Sequence, residues 1–274
     1  MRMRVSHDTI YRYDNPPSSV IQTLRLTPRN HAGQYVVAWR VSLSVDCRLD
    51  PQEDAFGNLM HTFTAEGPLD ELIIRVEGEV EIEDTAGVVA GAVERFPPAL
   101  FLRETALTRK DAAIADFAER FRRPDRDTLT AMHDMLVDLN REMIFDPDPT
   151  HTSTTAAEAF ALRRGVCQDL THIFIAAARH LGVPARYVSG YFHRADGRND
   201  QEAGHAWAEA FIPSLGWVGF DATNGICASD AHLRVAAGLD YLGAAPVRGA
   251  RTGGTGEFLA VQIRVEQAMR QSQN

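Results

Sequence analysis

The hydrophobic period of this chain changes twice along its length, and that change limits the folds open to it. Over the first ~85 residues apolar and polar side chains alternate, which is the period of a strand with one covered face. Val37, Trp39, Val41, Leu43 and Val45 share one face, opposite Ala38, Arg40, Ser42 and Ser44. Leu72, Ile74, Val76, Val80 and Ile82 share another, opposite Arg75, Glu77, Glu79, Glu81 and Glu83. Gly57-Asn58 separates two shorter runs of the same kind and reads as a hairpin turn. An antiparallel β domain with one solvated face is predicted.

Residues 84 to 108 lose the period and carry Gly87, Gly91 and Pro97-Pro98, which marks a linker. Helical spacing follows. Thr108 and Asp111 form a capping signal before Ile114, Phe117, Ala118 and Phe121. Leu129, Met132, Leu136, Leu139 and Met143 make a second helical face. After the break at Asp146-Pro147-Asp148-Pro149, Thr155 and Glu158 form a capping box for a short helix that Gly165 is expected to end. Leu170, Ile173, Phe174, Ala177 and Leu181 then define a helix stopped by Gly182 and Pro184.

Strand-like runs return at 185–193, 205–212 and 217–223, and Leu259, Val261, Ile263 and Val265 alternate as a last strand with either domain as partner. The Gly-rich stretch from Arg248 to Gly256 reads as a mobile loop. Helices followed by strands indicate an α+β fold. The division is an N-terminal antiparallel β domain over 1–95 and a core with a C-terminal strand over 96–274.

Charge and composition narrow the partners. Against 37 acidic residues stand 28 basic ones, a net charge of -9. That balance disfavours nucleic acid or an anionic membrane as partner. No apolar run approaches the ~20 residues of a membrane span, and the amino terminus has no apolar signal region. Cys47, Cys167 and Cys227 form no CxxC pair, so free thiols in a reducing, cytoplasmic setting are expected. The oligomeric state is left open.

Three short tracts carry chemistry: Gly165-Val166-Cys167-Gln168-Asp169, Gly204-His205-Ala206-Trp207 and Gly216-Trp217-Val218-Gly219-Phe220-Asp221. Cys167 falls at a helix start, where unpaired N–H groups and the helix dipole favour thiolate over thiol. Its own N–H is a natural oxyanion donor; the second donor is not identified. His205 is suited to take the thiol proton and return it to a leaving amine, and Asp221 to orient the imidazole. A four-residue loop between their strands would put Ala208, not His205, opposite Asp221. A bulge or irregular strand end is therefore predicted.

Each residue alone also has a structural reading: a buried thiol, a satisfied histidine, a turn-capping aspartate. Substrate contact is assigned to Trp207, Tyr191 and Asp169, with core packing for the aromatics and helix capping for Asp169 as the alternatives. Trp217 and Asn224 are further cleft candidates. His172 would point away from Cys167 on the helix and is read as a buried structural group. A zinc site from Cys167, His172 and His205 lacks any paired-ligand motif, so neither a metal nor another cofactor is expected.

Taken with Leu181-Gly182-Val183-Pro184-Ala185-Arg186-Tyr187-Val188-Ser189-Gly190-Tyr191 and Ala245-Pro246-Val247-Arg248-Gly249, these tracts resemble the transglutaminase-like superfamily, in particular bacterial members with an N-terminal β domain. The resemblance implies a papain/transglutaminase-like cysteine-protease core with Cys167 as nucleophile, His205 as base and acid, and Asp221 as orienter. Animal members have Gly-Gln-Cys-Trp where this chain has Gly-Val-Cys-Gln, and their spaced carboxylates are missing, so calcium dependence is not implied. A cysteine-dependent amide hydrolase or acyltransferase acting through a thioester on a peptide or glutamine-like amide, in a peptide or protein substrate, is expected. The alternatives are a thioester-dependent N-acyltransferase and a non-enzymatic peptide-binding or assembly module.

Overall fold

The computed structural model describes residues 1–268. The first strands are β1 (Arg2–Asn15), β2 (Ser19–Thr27), β3 (Gln34–Leu43), β4 (Asp50–Glu53), β5 (Leu59–Glu66) and β6 (Glu71–Ile82). A two-residue strand β7 (Val88–Val89) and a 3-10 turn at Pro98–Leu102 lead to α1 (Ala112–Glu119) and α2 (Thr128–Glu142). Next come β8 (Ile144–Phe145), α3 (Ala156–Leu162), β9 (Arg164–Gly165) and α4 (Cys167–His180). The rest is β10 (Ala185–Phe192), β11 (Asp200–Gln201), β12 (His205–Ile212), β13 (Gly216–Asp221), β14 (Ile226–Cys227), β15 (His232–Gly238), α5 (Tyr241–Ala244), β16 (Val247–Thr252) and β17 (Thr255–Gln267).

The predicted alternation builds two facing sheets, β11-β17-β1-β6-β3 and β16-β2-β5-β4. Tyr11, Leu24, Phe63, Leu72 and Ile74 close the core between them. Both C-terminal strands return here: β17 pairs with β1 along nearly its whole length and β16 with β2. The Gly-rich stretch is thus strand β16 and a tight turn that carries the chain across to β17 in the facing sheet, with Gly253 and Gly254 at positive φ in the turn, and not a loose loop. In β3 the pairing register shifts between Val36 and Ala38, so Val37 is exposed and leaves the face it was expected to share with Trp39 and Val41.

The second layer is the sheet β14-β13-β12-β10-β15, with β7 added beside β13. Helix α4 lies on β12 and β10, and Ala206, Ala208 and Ala210 let it approach closely. Buried Arg179 pins its far end by donating to the carbonyls of Phe101, Ala185 and Leu239 and to Thr108 Oγ1. Asp111, Asp127 and Thr155 cap α1, α2 and α3. The residue that ends α3 is Arg163, left-handed at φ 55°; Gly165, two positions on, is already in β9.

One face of β1 joins the layers. Met3 and Val5 pack with the helices, Tyr11 and Tyr13 pack between the two sheets, and His7 and Thr9 lie between these groups. The interval between the two cores is where a cleft opens.

Candidate functional site

Cys167 is the first residue of α4, behind Val166. Asp169 holds this start in place: its Oδ2 accepts from Val166 N (2.8 Å) and from Thr150 Oγ1 (2.8 Å). A side chain at Gly165 would collide with that carboxylate, which explains the glycine better than substrate access does. Asp169 is buried and belongs to the helix start, so the substrate contact assigned to it is corrected to capping. The Cys167 N–H has no acceptor among the described residues, while Asp169 N and Leu170 N donate to Val166 O.

The Cys167 sulfur lies 4.0 Å from Gly204 O, the carbonyl that precedes His205. His205 Nε2 is 2.7 Å from Asp221 Oδ2, which leaves Nδ1 for the sulfur side. The three residues therefore converge. No bulge is needed between β12 and β13. A three-residue turn sets Ile212 opposite Gly216 and Ala208 opposite Phe220, and the ladder stops there. Asp221 is then the diagonal neighbour of His205, a separation that an imidazole and a carboxylate can span.

Asp221 is fully buried and saturated with donors. Its Oδ2 also accepts from His232 Nε2 (3.0 Å) and Asn224 Nδ2 (2.6 Å), while Oδ1 accepts from the backbone N–H groups of Thr223 (3.0 Å) and Asn224 (3.2 Å). Burial opposes its charge, but the histidines outweigh burial and hold its pKa far below the usual carboxylate range. For His205 burial likewise lowers the pKa, and Asp221, with a smaller contribution from Cys167, overrides it and raises it to about 10. His232 behaves differently. Its Nδ1 accepts from Ser229 N (3.0 Å), so Nε2 must carry the proton given to Asp221, and burial keeps the ring neutral.

Trp207, expected to touch substrate, does not face the cleft. It is 2% exposed, with its ring 6.1 Å from that of His205 and 5.2 Å from that of His232. A side chain at Gly190 would meet this indole at 2.9 Å. Tyr191 does line the cleft, and its hydroxyl lies 2.9 Å from His7 Nδ1. Trp217 is buried under the Arg186 guanidinium, away from the cleft. His172 is fully buried and accepts from Tyr241 N through Nε2, with burial lowering its pKa to about 3.

His232 is the site residue that sequence reasoning missed. His205, Asp221 and His232 place their donor atoms within 4.8 Å of one another, the grouping among the described residues that could hold a metal ion. Here both ring nitrogens are directed at one carboxylate oxygen, as in a hydrogen-bonded relay. His172 takes no part in it.

The cleft has a volume of about 350 Å³. The start of α4 and the Gly204-His205 turn form one side, and β1, β2 and β17 the other. A thiol, an imidazole and a buried carboxylate in series at the edge of a cleft form the arrangement that nucleophilic attack on a carbonyl requires.

Fold and sequence agree on the class. Residues 3–81 match the bacterial transglutaminase-like N-terminal region and residues 115–222 match the transglutaminase-like superfamily. The chain belongs to the transglutaminase-like superfamily, in its bacterial form with the N-terminal region. It is 28% identical over 278 residues to the uncharacterized protein ML0607 of Mycobacterium leprae, covering 96% of this chain and 98% of that one. The uncharacterized protein Rv2569c of Mycobacterium tuberculosis is 28% identical over 272 residues, covering 90% and 87%. In structure the chain superposes on a candidate cysteine protease from Cytophaga hutchinsonii with a TM-score of 0.79 and 16% identity, over 100% of this chain and 92% of that one.

Proposed function

We propose that the protein is a cysteine-dependent amide hydrolase or acyltransferase that works through a thioester on a peptide or protein substrate. The observation that carries this reading is His205, held between the Cys167 side and a buried, ionised Asp221. An imidazolium beside a thiol at a helix start is the setting in which thiolate is stabilised. The Cys167 sulfur attacks the amide carbon, the S–C bond forms, and the free Cys167 N–H stabilises the oxyanion. As the C–N bond breaks, His205 gives its proton to the departing amine. Neutral His205 then takes a proton from water or an acceptor amine, which displaces the thiol and releases the acyl group.

The test is intact-mass trapping of an acyl-enzyme from a peptide library, with Cys167→Ala as control. A mass increase that Cys167→Ala abolishes is the expected result. An adduct released by added amines but not by water assigns acyl transfer, and one released by water assigns hydrolysis. Failure of every peptide to leave an adduct, with thiol reactivity no higher than in His205→Ala, would falsify the catalytic reading and favour a binding module.

A further inference from the structure

The inward face of β17 is covered for only part of its length. Ile263 and Val265 are 3% and 1% exposed, but Leu259 on the same face is 51% exposed, and Val261 between them is half-buried. Across β1 their partners are Tyr11 and Thr9. The uncovered end lines the cleft that holds Cys167 and His205, with Leu26, Val247 and Tyr241 also on its wall. An apolar strand face left open beside a reactive thiol lacks only an occupant, and about 350 Å³ has room for a large side chain together with adjoining main chain.

The two basic side chains on this side of the cleft already have partners. His7 bonds Tyr191 through Nδ1 and Thr9 through Nε2, both at 2.9 Å, and burial lowers its pKa to about 4, so it is neutral near pH 7. Arg25 Nε donates to Asp54 at 2.8 Å. An entering ammonium or carboxylate would shed water without meeting an unpaired opposite charge.

Resting on the reading of Cys167 as nucleophile, we propose that this wall is the specificity pocket for the acyl donor. It takes a large, uncharged, apolar or aromatic side chain adjacent to the attacked carbonyl. Leu259, Val261 and Tyr11 set the preference. The N-terminal region is then part of the substrate site, because β1 and β17 supply its floor.

The full chain is alkylated with peptidyl chloromethyl ketones that differ only in the side chain next to the ketone: Phe, Leu, Gly, Lys or Glu. Cys167 Sγ bonds to the methylene carbon as chloride leaves, and peptide mass mapping reads the labelled cysteine. Iodoacetamide serves as a reagent too small to use the pocket. Phe and Leu reagents are expected to label Cys167 at least about tenfold faster than Lys or Glu, the discrimination a hydrophobic pocket provides. In Leu259→Glu, with every rate taken relative to that of iodoacetamide on the same variant, the Phe reagent should slow about tenfold and the Lys reagent should speed up. Rates equal within about twofold across side chains, fastest labelling by a charged reagent, or an unaltered ranking in Leu259→Glu overturns the pocket. If iodoacetamide shows no preference for Cys167 over Cys47 and Cys227, and His205→Ala changes nothing, the nucleophile reading itself falls.

Discussion

Two carboxylates are fully buried on neighbouring strands of one sheet, Glu209 on β12 and Asp221 at the end of β13, and they are paired in opposite ways. Glu209 meets Arg186 Nε at 2.6 Å and Arg234 Nε at 2.7 Å. Asp221 meets His205 and His232. Trp207 stands between His205 and Glu209 on the same strand face and separates the two networks. Burial raises the pKa of both acids, and the cationic partners outweigh it, bringing Glu209 to about 2 and Asp221 lower still. The difference lies in the partners. A guanidinium neutralises charge without giving up its proton, whereas an imidazole can pass one on. A buried ion pair is therefore no sign of chemistry in itself; one that contains histidine and reaches a thiol in a cleft is.

The largest effect expected from breaking this contrast is on rate. Asp221→Asn leaves the volume intact but removes the charge, and an amide cannot accept at both ends from the donors gathered there. By analogy with the serine-protease triad, turnover should fall about 10⁴-fold. Circular dichroism should show the fold retained. A loss under tenfold in acyl-enzyme formation would remove Asp221 from the relay.

Glu209→Ala should act on stability instead. It leaves Arg234 without a counterion among the described residues and Arg186 with only the more exposed Glu94, at a cost of about 3–5 kcal/mol read by denaturant unfolding. Activity per folded molecule should change little. A large rate loss without destabilisation would place Glu209 in the reaction and erase the distinction.

His232→Phe comes next. It deletes a hydrogen bond to a charged group, at about 1.5–3 kcal/mol of stability, and loosens Asp221, with an expected fall in kcat/KM of about tenfold. His232→Gln, which can still donate, should recover most of the rate. Equal defects in both variants would mean that the ring packs against Trp207 and Phe192 but does not position Asp221.

Why His232 escaped the sequence, while Cys167, His205 and Asp221 stood out, is physical. Those three sit at element ends, Cys167 at a helix start, His205 after Gly204 at a strand start and Asp221 at a strand end, where local pattern is informative. His232 opens a strand that continues Leu233-Arg234-Val235-Ala236-Ala237, a run buried on both faces with no alternation to reveal it. Its partners come from β13 and β10, which only the fold brings together. Trp207 shows the converse. Its place two residues after His205 fixed the shared strand face, but which side of the sheet meets the cleft is decided by Ala206, Ala208 and Ala210 packing under α4. In the N-terminal region the alternation of β6 was legible throughout, while the bulge in β3 depends on its pairing with β6 and left no local mark.

The smallest effect concerns pH and again separates histidines from arginines. His172, His7 and His232 are held neutral by burial, with folded pKa values near 3 for His172 and near 4 for His7, below the unfolded 6.5. The unfolded chain therefore binds more protons below pH 6.5, and stability should fall as pH drops from 6.5 toward 4. His205 has the opposite sign. Its pKa is raised to about 10, so its contribution is complete below pH 6.5 and disappears as pH rises through 10. Asp221 contributes at all pH above its unfolded value near 3.8 and loses that contribution only in stronger acid. Urea midpoints should therefore peak near pH 6.5 and fall on both sides. His172→Phe should shallow the acid slope and leave the alkaline limb in place, while His205→Gln should remove the alkaline contribution and leave the acid slope. An acid slope unchanged by His172→Phe would mean that the buried ring is protonated in the folded state, contrary to its acceptance of the Tyr241 N–H at Nε2.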